Sequence, residues 1–294
     1  MKKARLIGTL TLVPVICLMM TGCQKTDSKA EYEAFLKGDR TDSVSFEAYT
    51  EDLCQYVAED WSMDGAEPKS ISYSFIDCGN DGEEELAVLY TQIGDEAMDI
   101  NYITIFKLMD NEIKNIFCES FGYRSYALLN QYGFYTYGGS NGASSSTVVF
   151  SYVDGAGKKN YLYGMNDELS AYSLYVPGTT DYMDVAAEEG IAENIEIQQY
   201  FFNEYDETQD YAEYVSNCDY VYIPTDDTYQ PLEGAELEEA LSTGAYERFW
   251  ESTGLPPALS QEQMDDKIAK KLDSIGVTDE ILDAPDVTWT PFEK

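Results

Sequence analysis

The sequence predicts an α+β protein with an N-terminal helix, a central antiparallel β-meander and C-terminal helices. Three observations carry that reading. Apolar residues recur at three- and four-residue steps from about Val44 to Asp60. Apolar and polar residues then alternate with a period of two through the middle of the chain. A capped helical stripe follows near the end. Helices at the ends with strands between them point to α+β rather than to alternating βα units.

In chain order, Glu31 to Lys37 suits one or two helical turns, stopped by Gly38. The next helix has Ser43 as N-cap and Phe46, Tyr49, Leu53, Tyr56 and Val57 on one face. Ile71, Tyr73 and Phe75 alternate with serines, as in a half-buried strand, and Leu86 to Ile93 reads as its partner. Ile100 to Leu108 and Ile113 to Phe117 flank Met-Asp-Asn-Glu, a hairpin connection. Tyrosine-rich segments continue the meander: YALLNQYGFYTY, then STVVFSYV, then KKNYLYGM across an Asp154-Gly155-Ala156-Gly157 turn. Ala186 to Tyr205 shows no clean period. Glu236 to Trp250 reads as helix broken near Gly244. Ser260 to Gln263 forms a capping box, and Met264, Ile268, Leu272 and Ile275 make one stripe before Gly276 ends the last helix.

The first residues read as an export signal. Lys2, Lys3 and Arg5 precede an apolar run from Leu6 to Met20, too short and wrongly flanked for a spanning helix. Met20-Thr21-Gly22-Cys23 follows and resembles the lipobox of bacterial lipoproteins. That resemblance implies that Cys23 carries a diacylglycerol and becomes the mature N-terminus. The expected organisation is a signal peptide over 1–23, a tether over 24–31 and a single α+β domain over 32–294. The expected place is the cell envelope, lipid-anchored to a membrane and facing outside the cytoplasm, because two acyl chains on one residue suffice for stable attachment.

The formal net charge is −37, which excludes nucleic acid as a partner because the phosphate backbone would be repelled. Acidity of this size keeps an exported protein soluble and favours cationic partners or divalent ions. Cys54, Cys78, Cys118 and Cys218 contain no Cys-x-x-Cys pair, so a zinc cluster is not expected. Export permits disulfides, and the sequence leaves the pairing open. The chain has no histidine, which removes Ser-His-Asp and Cys-His machinery and every His-bearing metal site. Gly138-Gly139-Ser140-Asn141-Gly142 matches the Gly-x-Ser-x-Gly pattern, yet a strand-like run follows it rather than a helix. It is read as a hairpin loop.

The stretch FIDCGNDGEEELAVLY holds the densest acidic loop between two strands. With Asp77 as position one, Asp81 stands at five, Gly82 at six and Glu85 at nine. This resembles EF-hand-like and integrin-type FG-GAP calcium loops. The resemblance implies calcium held by Asp77, Asp81, Glu85 and the backbone carbonyl of Glu83. Gly79 replaces the ligand at position three, and Val88 stands where an EF-hand has its bidentate glutamate. The alternative is a plain Asn-Asp-Gly turn with a solvated acidic flank.

Function is expected to be non-catalytic binding or scaffolding. Tyr132, Tyr135, Tyr137, Tyr152, Tyr161 and Tyr163 are candidates for an aromatic platform for glycans or peptides, with Tyr135, Tyr137, Tyr152 and Tyr163 as the main ligand-binding set. Two alternatives stay open. A carboxylate-dependent glycan hydrolase needs no histidine. A structural envelope protein would instead present an apolar patch to a protein partner.

Overall fold

The computed structural model describes residues 28–40, 45–50, 67–93, 99–143, 145–168, 182–191, 195–204, 208, 210–228 and 230–293. Cys23 and the lipobox lie outside the described residues, as does Cys54. Of the expected 44–60 helix, residues 46–50 are described and are helical.

The strands are β1 (Glu67–Ile76), β2 (Glu85–Ile93), β3 (Asp99–Met109), β4 (Glu112–Phe121), β5 (Ser125–Leu129), β6 (Phe134–Ser140), β7 (Ser145–Val153), β8 (Lys159–Glu168), β9 (Ile195–Phe201), β10 (Asp219–Pro224) and β11 (Thr290–Pro291). The architecture is α+β and strand-rich. The meander is divided into two antiparallel sheets, ordered β11-β1-β2-β3-β4 and β10-β9-β8-β7-β6-β5. The chain changes sheet between β4 and β5, where Arg124 takes a left-handed φ of 61°.

Strand alternation decides what each sheet face covers. Leu86, Val88 and Phe106 point to the Ser28–Lys37 helix and meet Tyr32, Phe35 and Leu36. Ala87, Ile103, Ile105 and Phe117 point the other way and meet Leu129, Tyr135 and Val153 of the second sheet. The far face of that sheet carries the Gln261–Ile275 helix. Met264 packs there with Tyr200 and Val221, while Leu272 and Ile275 pack with Tyr152 and Leu162. Both groups of the capping box are made, since Gln263 N–H donates to Ser260 Oγ and Ser260 N–H to Gln263 Oε1. The broken helix is two helices, Gly234–Ser242 and Ala245–Thr253, with Gly244 left-handed between them. Among the described residues, no helix is long and apolar enough to cross a membrane.

The two sheets are joined where turns meet backbone to backbone. Asp77 N–H donates to Gln131 O at 2.9 Å and Gly79 N–H to Tyr132 O at 3.0 Å. A Cβ on Gly79 would stand 2.5 Å from Gly155 N, and one on Gly133 would stand 2.6 Å from Val153 O. Both glycines also have left-handed φ, near 84° and 86°. The C-terminal strap closes the same seam: Gln131 N–H donates to Pro285 O, Val287 N–H donates to Leu129 O, and β11 pairs with β1.

Gly79→Ala is therefore expected to destabilise the fold by at least about 2 kcal/mol, combining left-handed strain with a backbone clash. Gly38, also left-handed but facing open space, is the control. There the alanine substitution should lose only about 1 kcal/mol, the strain alone. Equal losses in urea unfolding would show that the close approach of the turns contributes nothing.

Candidate functional site

The acidic loop leaves β1 at Ile76 and re-enters the sheet at Glu85. Three consecutive features shape it. Gly79, Asn80 and Gly82 all have positive φ, at 84°, 53° and 81°. Asp77 turns its carboxylate inward along the loop and accepts the N–H groups of Asp81 at 2.8 Å and Gly82 at 3.0 Å. Asp81 Oδ1 accepts Glu83 N–H at 2.8 Å. The side chains that the calcium comparison assigns to a metal thus already hold the turn's own donors, as short polar side chains in turns commonly do.

Glu85 goes elsewhere. Its residue is 0% exposed, facing the core beneath the loop. Oε2 accepts Cys78 N–H at 2.8 Å, and Oε1 accepts the Lys107 ammonium in a close ion pair. Burial pushes the Glu85 carboxyl above its ordinary range, and the bonds from Lys107 and Cys78 pull it back part of the way. Burial is the largest single influence on the Lys107 ammonium and works to lower it, but the bond to Glu85 and the charges of Glu85, Asp81 and Glu83 together outweigh it and raise the group. Glu83 also approaches Lys107, at 3.9 Å, from the exposed side. Among the described residues, no group of three or more Cys, Asp and Glu side chains converges as a metal would need.

Above the ion pair lies a half-open cleft of about 680 Å³. Its walls include the rings of Phe75 and Tyr132, with the buried ring of Tyr32 behind them, and Asp77, Glu83, Glu84 and Lys107 supply its charge. Tyr32 is fixed by its hydroxyl, which accepts Leu108 N–H at 2.8 Å. The ring walls come from three separate places: the first helix, the end of β1 and the turn before β6. Of these, only Tyr132 belongs to the expected aromatic set.

The other tyrosines of that set do not share one face. Phe134 is paired with Tyr152 and Tyr135 with Ser151, so Tyr135 and Tyr152 point to opposite faces of the sheet. Tyr135 and Tyr137 face the first sheet, where Tyr135 makes an edge contact with Phe117 at 4.9 Å. Tyr152 and Tyr163 lie under the C-terminal helices, Tyr163 beside Phe150 at 4.6 Å. Tyr161 donates to Phe201 O at 3.3 Å. Tyr135 and Tyr152 are each only 3% exposed, so neither offers a ring face to a ligand. The expectation of one platform fails on strand register: a period of two divides the rings between two covered faces.

Three further features complete the chemistry. Ser140 of the Gly-x-Ser-x-Gly match ends β6, donates to Gly142 O at 2.7 Å and leads into strand β7. Cys78 and Cys218 are buried, Cys118 is exposed, and none of the three is bonded to another. Asp167 on β8 is half-buried, and burial followed by the charge of Glu196 raises its carboxyl to about 6. Neither Asp167 nor Glu196 lines the cleft.

The chain matches no protein-family model, and comparisons with curated proteins and with solved structures yield no match.

Sequence reasoning passed over Lys107, the one cation inside the apolar run ITIFKLM. A lysine in such a strand signals a buried anion, since a buried ammonium needs one. Lys107→Met should destabilise the protein by about 3–5 kcal/mol, because it leaves the Glu85 carboxylate buried and uncompensated. Adding Glu85→Leu should recover most of that loss. A double variant no more stable than the single one, in denaturant unfolding, would deny that the two charges are coupled.

Proposed function

We propose that the protein is a lipid-anchored extracytoplasmic binding module, with Cys23 carrying the anchor and the cleft beside the Asp77–Glu85 loop holding the ligand. The observation that carries the binding reading is the cleft itself: ring walls and fixed charges placed on the rigid junction of the two sheets. Its size lies within the range of ligand pockets. The chemistry favours holding over turnover, because the site's buried acid is shut from solvent and neutralised by Lys107. Ring faces beside carboxylates suit the C–H faces and hydroxyls of a glycan or the side chains of a peptide. The full chain in detergent, screened on glycan and peptide arrays, should give a saturable ligand whose binding is lost in Tyr132→Ser. Labelled palmitate should enter the wild type and not Cys23→Ser. Unchanged labelling in that variant would overturn the anchor, and retention unaffected by Tyr132→Ser would overturn the cleft.

A second reading gives the loop a calcium ion. It is favoured by the exposure of Asp81, Glu83 and Glu84 on a turn that is already formed. Extracellular calcium modules bind at about 10⁻⁴–10⁻³ M, so 10 mM calcium against a Kd near 1 mM would add about 1.4 kcal/mol. Calcium, and not magnesium, should then raise the melting temperature. Asp81→Asn, which keeps an oxygen for the Glu83 N–H, should cancel the rise. A melting temperature indifferent to calcium removes the ion from the account.

A further inference from the structure

A second cleft, of about 590 Å³, lies at the other end of the molecule, between β10 and the Gly234–Ser242 and Ala245–Thr253 helices. Tyr222 and Tyr246 stack in its wall with ring centroids 6.0 Å apart and planes 10° from parallel. Trp250 stands 5.7 Å from Tyr222, and its indole N–H is fixed by a 2.8 Å bond to Pro256 O. Leu241 also lines the cleft, although 45% of its surface faces solvent.

Glu247 and Glu251 close the rim one helical turn apart. Both residues are exposed, and among the described residues neither makes an ion pair. The arginine between them pairs with Glu189, Arg248 Nη2 standing 2.8 Å from Glu189 Oε2, and the charge of Glu247 also reaches it. Glu247 lines the cleft together with Tyr222, whose hydroxyl is raised by burial and then by the charge of Glu247.

This combination restricts the occupant. A purely apolar ligand would cover the two carboxylates without giving them a partner. An anion would meet like charge from the rim and from a chain of net charge −37. A divalent metal wants six to eight oxygens and has no use for rings. An organic cation satisfies both halves: its apolar stem covers Leu241 and the half-buried ring of Tyr222, and its charge sits between the carboxylates.

We propose that this cleft is a second binding site, specific for an alkylammonium group such as a lysine side chain or a free aliphatic amine. Glu247 and Glu251 hold the charge, and Leu241 and the half-buried Tyr222 hold the stem, above the buried rings of Tyr246 and Trp250. The site is independent of the cleft beside the acidic loop, so failure of either leaves the other standing.

The test is calorimetric titration of the full chain in detergent with hexylammonium, with the neutral isostere hexanol, with hexanoate, and with a capped Leu-Lys-Leu peptide. Hexylammonium or the peptide should bind saturably, at least about tenfold more tightly than hexanol, with affinity falling as salt rises. The Glu247→Gln/Glu251→Gln double variant should lose about tenfold for the cations and keep its melting temperature, since both side chains stand on the surface. A peptide that outcompetes hexylammonium identifies a protein segment as the source of the cation. Equal affinities identify a free amine, and both results uphold the site. Equal binding of hexanol, unchanged cation binding in the double variant, or no saturation at millimolar hexylammonium and peptide overturns it.

Discussion

The close approach of three turns is the constraint on which the rest of the structure depends. Gly79, Gly133 and Gly155 meet around Cys78, in space that a Cβ at any of them would invade. Because those turns touch through backbone, the two sheets come close enough to share one core, with Ile105 and Phe117 on one side and Leu129 and Tyr135 on the other. The same approach covers the floor of the acidic loop. Without it, Glu85 would stand in water and have no need of Lys107. With it, the carboxylate is dehydrated, and a charged partner becomes necessary. The junction therefore creates both the buried ion pair and the cleft above it.

A single local device builds the turns that meet there. Asn130 accepts the N–H groups of Tyr132 and Phe134, and Asp154 those of Ala156 and Lys158. Asp226 does the same for Thr228 and Gln230, away from the junction. In each turn an Asp or Asn satisfies the donors two and four residues ahead, and Asp77 follows a longer version with Asp81 and Gly82. Such side chains replace the strand partner that a turn lacks. They also explain why acidic spacing is a poor guide to metal sites. A carboxylate at the right interval for a cation is equally at the right interval for its own backbone.

What the sequence reveals and conceals follows from how local each interaction is. The Gln261–Ile275 helix is legible in full, because its cap, stripe and stop are all near neighbours. The hairpins through β8 are legible for the same reason. β9 escapes notice because its apolar-polar alternation, Ile195-Glu196-Ile197-Gln198, lasts only four residues before Gln199 breaks it. The division into two sheets is not visible at all, since it depends on contacts between turns far apart in the chain. Nor is the arrangement that brings the first helix and β11 to the same sheet, where Tyr32 and Phe35 share a core with Phe292 and β11 pairs with β1. The acidic loop was locatable as a turn, and its neighbours in space were not. Tyr32 and Lys107 reach it from other elements, and the tyrosines that looked like a platform are divided by register.

The distribution of charge links the fold to its partners. Of 55 acidic residues, Glu85 alone is fully buried among those described, and the protein answers it with one of its few cations. Among the described residues, most of the other lysines and arginines are also engaged at their own positions: Arg40 with Glu31, Lys159 with Glu119 and Glu204, Arg248 with Glu189. The surface is left with a large excess of carboxylates that no internal cation can satisfy. Where such carboxylates stand in open water, hydration is enough and they serve solubility. Where they stand, still exposed, beside aromatic and aliphatic walls, a cation with an apolar stem gains from both the charge and the wall. Glu247 and Glu251 are in that second position, so the proposed cation site draws on the same excess of carboxylates that gives the whole chain its charge.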